Sequence, residues 1–281
     1  MHSHSNFSDG IYSPKELLKQ AQNERLVLYS ITDHDTIEGT MIAEKLATKF
    51  PFAYLNGIEI SARYENTKIE ILGYNFTTTN SSLSNKMHFL QQKRKERIFK
   101  ILTKLQELGL NITYEDILNQ VGSGSSPGRP HLARAMIEKK IVRDINEAFE
   151  KYIGNGRPAY VRRETITPKT AIDLIRSGKG TAVLPHPLLV EAENLNKLEY
   201  FLDLLVSWKL EGVELYYEYN HVIPFLSDST ISKGLEFLMK YCKKNDLLLT
   251  GGSDYHGDTG ELGSVSIPKD IIENILSYFD L

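Results

Sequence analysis

Five short clusters in the chain carry residue types able to hold a metal ion. They are His2-Ser3-His4 with Asp9, Asp33-His34-Asp35, Glu59, His186 within Leu184-Pro185-His186-Pro187, and Ser253-Asp254-Tyr255-His256. Imidazole together with carboxylate suits Zn, Mn or Fe, and a carboxylate such as Glu59 can bridge two ions while neutralising part of their charge. Cys242 is the only cysteine, so a disulfide and a thiolate cluster are both excluded and the ligands must be nitrogen and oxygen. A lone histidine near a strand end is more often a packed structural group than a ligand. Five separate segments delivering ligand types to one place is harder to obtain by packing. His88 has no carboxylate neighbour and falls on a helical stretch, so it is left out.

The elements that must position these clusters follow a strand–helix rhythm. Ser13-Pro14-Lys15-Glu16 is a capping box with proline in the first helical turn, predicting a helix to about Glu24 that turns Leu17, Leu18 and Ala21 inward. Hydrophobic periodicity then predicts strand 27–32, helix 37–48, strands 52–58 and 68–76, helix 168–177, strand 181–184, helix 195–208, strand 212–217, helix 230–244, strand 247–250 and a closing helix from Pro268. Such alternation implies a parallel sheet. His34, Glu59, His186 and Asp254 each follow a strand closely, so they project from one rim, the face on which α/β barrels build active sites.

Residues 77–160 break the rhythm. They are mostly helical, with a Gly/Ser-rich turn from Gly122 to Ser126 ahead of Pro127-Gly128-Arg129-Pro130. This stretch is expected as an inserted helical domain, leaving 1–76 and 161–281 as the barrel domain. Its first helix, 85–108, carries Met87, Leu90, Ile98, Ile101, Leu105 and Leu108 on one stripe, and Arg94 falls on that stripe. An inward arginine requires an anion, either a substrate phosphate or a structural carboxylate. The surrounding run from Lys93 to Arg97 reads as a solvated face.

With 41% apolar and 25% charged residues, the 281-residue chain can bury a sizeable core as one large domain, with or without an insert. No apolar run approaches the ~20 residues of a membrane helix, and no signal peptide precedes the first cluster, so the cytoplasm is the expected compartment. A net charge of −3 gives no global attraction to nucleic acid, so any grip on phosphate must be local.

Taken in order, the segments His2-Ser3-His4-Ser5 to Ser8-Asp9-Gly10, Ile31-Thr32-Asp33-His34-Asp35-Thr36, Gly57-Ile58-Glu59, Leu184-Pro185-His186-Pro187 and Gly252-Ser253-Asp254-Tyr255-His256-Gly257 resemble the motifs of the polymerase and histidinol phosphatase (PHP) superfamily of metal-dependent phosphoesterases. The resemblance covers nearly the whole chain. Gly128-Arg129-Pro130-His131-Leu132-Ala133 and Tyr216 to His221 are similar to the subgroup that removes phosphate from nucleoside 3′,5′-bisphosphates, some members of which also trim RNA from the 5′ end. The resemblance implies a distorted seven-stranded α/β barrel and two or three divalent ions (Mn, Fe or Zn). It also implies a nucleotide or short RNA substrate; no stable protein partner is implied, and the lack of a long apolar run leaves no membrane to expect. It places one ion among His2, His4, Glu59 and Asp254, a second among Asp9, His34 and His256, and a third between Glu59 and His186. Where the subgroup often has histidine before the Leu-Gly of its fourth strand, this chain has Glu70, which can still ligate Mn or Fe. Only Met1 precedes His2, so the first barrel strand is a stub unless the true start lies upstream.

Phosphoester hydrolysis requires a nucleophile, neutralised charge on the phosphoryl group and a stabilised leaving oxygen, all of which clustered metals can supply. The expected mechanism is in-line attack by a metal-bridging hydroxide, with Asp9, His34, Asp254 and His256 as the catalytic set. No Gly-x-Ser-x-Gly elbow accompanies the histidines. Arg129 and His131 are candidates for a second phosphate, since arginine offers a planar fork, although His131 could instead cap the helix beginning there. Arg94, and less strongly Arg97, join them. His221 could touch the scissile phosphate or protonate the leaving group, or be an exposed loop histidine. Competing readings are histidinol phosphate or a polymerase-associated nuclease role, a metal-binding module without turnover, and an amidohydrolase. The last would use a bridging lysine, and none stands at these strand ends.

Overall fold

A computed structural model describes residues 1–121, 127–219, 226–257 and 260–281. Helix α1 (Pro14–Asn23) opens on the expected capping box, in which Ser13 Oγ accepts from Glu16 N–H and Ser13 N–H donates to Glu16 Oε2 at 2.8 Å. Its Leu17, Leu18 and Ala21 are fully buried. Strand β1 (Leu28–Tyr29), helix α2 (Glu38–Ala47) and strand β2 (Ala53–Tyr54) follow, and β1 pairs with β2 in parallel.

The single strand expected over 52–58 is two. Asn56 ends β2 by clasping Phe76, donating Nδ2–H to its carbonyl and accepting its N–H, each at 2.9 Å. The chain thereby starts a new strand, β3 (Gly57–Tyr64), which turns back as β4 (Thr67–Tyr74). Between them Glu65 adopts φ 51°. The turn carries no Asn-Gly or other glycine signal, so periodicity alone does not foretell a hairpin. The parallel sheet expected throughout is therefore mixed. β4 pairs antiparallel with both β3 and β5 (Thr181–Leu184), whereas β5, β6 (Gly212–Tyr216) and β7 (Leu248–Gly251) are parallel, in the order β3-β4-β5-β6-β7.

Side chains alternate across a strand, and the hairpin uses both faces. Ile58, Ile60, Ala62, Ile69 and Ile71 lie in the apolar cluster that also holds Ile172 and Ile175 of α7 (Pro168–Ser177). A Cβ on Gly73 would lie 2.8 Å from Ile175 Cγ1, so only glycine lets that helix come so close. The opposite face presents Glu59, Ser61, Arg63, Lys68 and Glu70, with Glu59 opposite Leu72 and Ser61 opposite Glu70. Beneath it, Leu28, Leu55, Leu72, Tyr74 and Val183 pack with Ile275 and Phe279 of α11 (Lys269–Tyr278).

Between β4 and α7 come α3 (Ser81–Glu107), α4 (Tyr114–Leu118), α5 (Arg129–Glu138) and α6 (Ile145–Ala148), the last running into a π turn at Phe149–Ile153. One stripe of α3 serves two cores: Leu83, Met87 and Leu90 join the main cluster, and Ile98, Ile101 and Leu105 join a second one with Leu132, Met136 and Ile153. Arg94 lies on the stripe at the changeover. The later helices are α8 (Pro187–Val190), α9 (Leu195–Ser207) and α10 (Asp228–Lys244). The Gly122 to Ser126 turn and His221 lie outside the described residues. No helix among the described residues is long and apolar enough to cross a membrane.

Candidate metal centre

The chain's first residues are stitched into the fold from both sides. Thr32 N–H donates to the Ser3 carbonyl and His4 N–H to that of Tyr255, each at 2.8 Å. Ser3 is bridged in parallel to Tyr255, and His34 likewise to Glu59. Asp33 is a latch rather than a ligand: it accepts from Ser5 N–H (2.7 Å), Ser5 Oγ (2.6 Å) and Ser8 Oγ (2.7 Å), which sets the loop carrying Asp9. Three residues at the site have left-handed backbones, Asp35 (φ 53°), His186 (φ 33°) and Asp254 (φ 51°). For non-glycine residues this costs of order 1–3 kcal/mol each and is commonest where function demands it.

These constraints bring together the residues scattered from position 2 to 256. His2 Nε2 lies 3.4 Å from Glu59 Oε2 and 3.2 Å from Asp254 Oδ1, and His4 Nε2 lies 3.3 and 3.0 Å from the same two oxygens. On the other side Asp9 approaches His4 Nδ1 at 3.8 Å, His34 Nε2 at 3.7 Å and His256 Nε2 at 3.5 Å. Glu59 lies between these groups, 3.1 Å from His34 Nδ1 and 3.4 Å from His186 Nε2. Two four-residue sets, His2/His4/Glu59/Asp254 and His4/Asp9/His34/His256, each converge tightly enough for one ion. A third set, His34/Glu59/Glu70, includes the Glu70 expected at the third site, and His186 stands beside it at 3.4 Å from Glu59 and 3.9 Å from Glu70. Glu59 is also not beyond a strand end, as expected, but inside β3, because the hairpin face itself is the floor of the site.

The donor set fits a cation. Among the described residues, His2 Nε2, His4 Nδ1, Asp9 Oδ1, His34 Nδ1 and Glu59 Oε1 are buried without a hydrogen-bond partner, a state that costs about 1–3 kcal/mol per group unless something coordinates it. The charges agree. Burial opposes ionisation of Asp9, Glu59 and Asp254, yet the surrounding histidines hold all three carboxyls below the usual range. Burial likewise opposes protonation of His2 and His256, but Glu214, Asp254 and Glu59 hold His2 well above its ordinary value and Asp9 with Asp254 raises His256 to about 10. His34 is lowered, chiefly by burial. The pocket demands positive charge, which is the requirement a divalent ion meets.

Sequence reasoning missed several residues here. Glu214, fully buried on β6, accepts from His2 Nδ1 at 3.1 and 3.2 Å and from the His186 backbone N–H at 3.1 Å, leaving His2 Nε2 to face Glu59 and Asp254. A glutamate between Val213 and Leu215 in a buried strand was the available signal. Arg163 ion-pairs with Asp35 and donates to Ser61 Oγ at 3.0 Å; burial pulls its guanidinium down to about 10, so it stays charged. Tyr217 Oη donates to Asp254 Oδ2 at 3.3 Å.

A cleft of about 200 Å³ opens beside the cluster, lined by Asp9, His34 and Glu70 at one end and by Arg63, Lys68, Arg94, Arg97, Arg129, Arg163 and Tyr160 around it. Arg94 is only 9% exposed and has no carboxylate ion-pair partner among the described residues. Its guanidinium lies against Gly128, and a Cβ there would meet it at 2.5 Å. Arg129 is partly committed, donating to the Ile153 carbonyl at 3.1 Å. His131 does not line the cleft: its Nδ1 accepts the Gly128 N–H at 3.1 Å, and burial with Arg94 nearby lowers its pKa to about 4, keeping that nitrogen free to accept. The helix-capping alternative is thus the one the contacts display.

The PHP domain family matches residues 1–159. A 5'-3' exoribonuclease of Haemophilus influenzae is 29% identical over 100% of this chain and 97% of its own. A 3',5'-nucleoside bisphosphate phosphatase of Chromobacterium violaceum is 27% identical over 66% of each chain. Among solved structures, a Bifidobacterium adolescentis protein, assigned by inference as a metal-dependent phosphoesterase, superimposes with TM-score 0.81 at 26% identity, covering 98% of this chain and 94% of that one.

Proposed function

Because the chain belongs to the PHP domain family and is a metal-dependent phosphoric ester hydrolase, we propose that its substrate is a nucleotide phosphomonoester, foremost the 3′-phosphate of nucleoside 3′,5′-bisphosphates, with 5′-end trimming of short RNA as a second activity. The observation that carries this reading is Arg94, a buried cation with no carboxylate within ion-pair distance among the described residues, on the cleft shared with Asp9 and His34. A substrate with a second phosphate supplies the anion it lacks. The names of the Haemophilus and Chromobacterium relatives favour the two activities in turn.

His2, His4, Glu59 and Asp254 would hold one divalent ion and Asp9, His34 and His256 another. Glu59, Glu70 and His186 are available to a third, and the oxygen-rich donors there favour Mn or Fe. Bound ions supply charge neutralisation on the phosphoryl group and activation of water. The protein's own part is orientation. Arg94 and Arg129 grip the non-scissile phosphate, and Arg163, locked to Asp35, braces the loop that carries His34. His131 contributes by holding Gly128 in place for them. His221 remains the candidate proton donor to the leaving oxygen. In architecture, we read 1–76 and 161–281 as a distorted barrel closed through the Ser3–Tyr255 and His34–Glu59 bridges, and 77–160 as an inserted domain with its own apolar cluster.

The test is phosphate release from adenosine 3′,5′-bisphosphate, compared with short 5′-phosphorylated RNA and histidinol phosphate, in added Mn. Release from the histidinol ester alone refutes the nucleotide reading, and release from none of the three refutes both activities.

A further inference from the structure

The cationic cleft adjoins a second groove. Tyr160 lines the cleft and also lines this open groove of about 510 Å³, whose other residues are Lys100, Thr103, Lys104, Val161 and Arg162. We propose that this groove, between the C-terminal half of α3 and residues 160–162, binds the single-stranded continuation of a nucleic-acid substrate whose phosphate end lies in the cleft. The inference rests on the proposed function and narrows it, since a groove of this kind serves an oligonucleotide and is idle with a mononucleotide.

Size is the first argument. The cleft's 200 Å³ falls short of the roughly 300–1,000 Å³ of pockets that enclose a whole small ligand. It can seat phosphates and part of one nucleotide, so anything attached must extend beyond it, and the groove that shares Tyr160 with it is the adjoining space. Charge is the second. The groove is lined by three cations and no carboxylate, in a chain of net charge −3. Lys100 and Arg162 are exposed and make no ion pair among the described residues, so both charges are available to a ligand. Arg97, Lys100 and Lys104 follow at three- and four-residue spacing on α3, so one helix face carries positive charge from the cleft into the groove.

The third argument is construction. Lys104 Nζ donates to the Tyr160 carbonyl at 3.1 Å and Arg97 Nε to that of Val161 at 2.7 Å, which ties the 160–162 strap to α3. The Tyr160 ring has Arg97 and Arg129 at 6.0 and 5.8 Å from its centroid. An aromatic ring among cations along a groove is the combination that stacks bases and follows a phosphate backbone without sequence preference.

The experiment is fluorescence anisotropy of 5′-phosphorylated, 3′-labelled RNAs of two, four and eight nucleotides on the full chain, with adenosine 3′,5′-bisphosphate as competitor. The same measurements are made on a Lys100→Gln/Arg162→Gln double variant, whose two side chains are solvent-exposed and make no hydrogen bond or ion pair among the described residues. Three groove contacts predict that RNA binding weakens about 20-fold more than bisphosphate binding when salt rises from about 50 to about 200 mM, and the double variant only about threefold more. Affinity should climb with RNA length in the wild type and flatten in the variant, with bisphosphate competition unchanged. Length-independent binding, or a variant indistinguishable from wild type on the eight-nucleotide RNA, overturns the groove. Phosphate release is scored separately: failure to hydrolyse either substrate removes the proposed function, while the anisotropy still decides the groove.

Discussion

Replacing Glu214 by glutamine tests whether the histidine cluster is tuned from behind. Glu214 uses both carboxylate oxygens as acceptors, one or both for His2 Nδ1–H and Oε2 for the His186 N–H. Glutamine keeps the shape but offers one acceptor and one donor. If the amide oxygen faces His2, the amide N–H₂ confronts the His186 N–H and leaves a buried donor unsatisfied. If it turns the other way, the amide donates to His2 Nδ1, and the ring must carry its proton on Nε2, the nitrogen aimed at Glu59 and Asp254. Either outcome costs about 1–3 kcal/mol. Outer carboxylates behind ligating histidines typically carry 10–100-fold in metal affinity, which corresponds to about 1.4–2.8 kcal/mol, and the two figures agree. The assay is competition of Mn between the protein and a chelating dye, with elemental analysis for stoichiometry and circular dichroism for folding. A folded Glu214→Gln protein that binds Mn within twofold of wild type would falsify the tautomer argument. A variant with weakened Mn binding but near-normal turnover at saturating Mn would support it.

Three further outcomes follow from the same geometry. Arg94→Ala should raise KM for a nucleoside bisphosphate by roughly 10–150-fold, the 1.5–3 kcal/mol of a charge-assisted hydrogen bond, with Arg94→Lys intermediate; an unchanged KM would return Arg94 to a purely structural role. Gly39→Ala should destabilise the fold, because the new Cβ would lie 2.0 Å from Asp33 Oδ2 and 2.7 Å from Ser5 Oγ. Overpacking of that kind costs about 1–3 kcal/mol, read as a drop of several degrees in Tm, and a Tm equal to wild type counts against the Asp33 latch. Mn loading at pH 7 should release protons, since His256 sits at about 10 and His2 well above its ordinary value in the ion-free protein. Affinity should then tighten as pH rises; calorimetry in two buffers of different ionisation enthalpy measures the released protons, and equal heats would contradict it.

What could be foreseen in the sequence was whatever is carried by local pattern. The Ser13 capping box, α7 over Pro168–Ser177 and β5 over Thr181–Leu184 each announce themselves through caps and periodicity within a dozen residues. His2, His4, Asp9, His34, Glu59, Asp254 and His256 were recognisable because ligand types cluster in sequence before they cluster in space. The β3–β4 hairpin was not, because its reversal rests on Glu65 accepting φ 51° and on Asn56 clasping Phe76 from 20 residues away, neither of which has a signature of turn composition. The same reason hid Glu214 and Arg163, whose significance lies in partners 212 and 128 residues distant. The hairpin also changes what the floor of the site is. A strand end can offer one ligand, but an antiparallel pair presents Glu59 and Glu70 on one face in fixed register, with Ser61, Arg63 and Lys68 continuing that face towards the cleft. Candidate ion-binding carboxylates and cleft-lining cations therefore share one two-stranded platform, so a one-residue slip of either strand would turn that strand's contributions away from the site together.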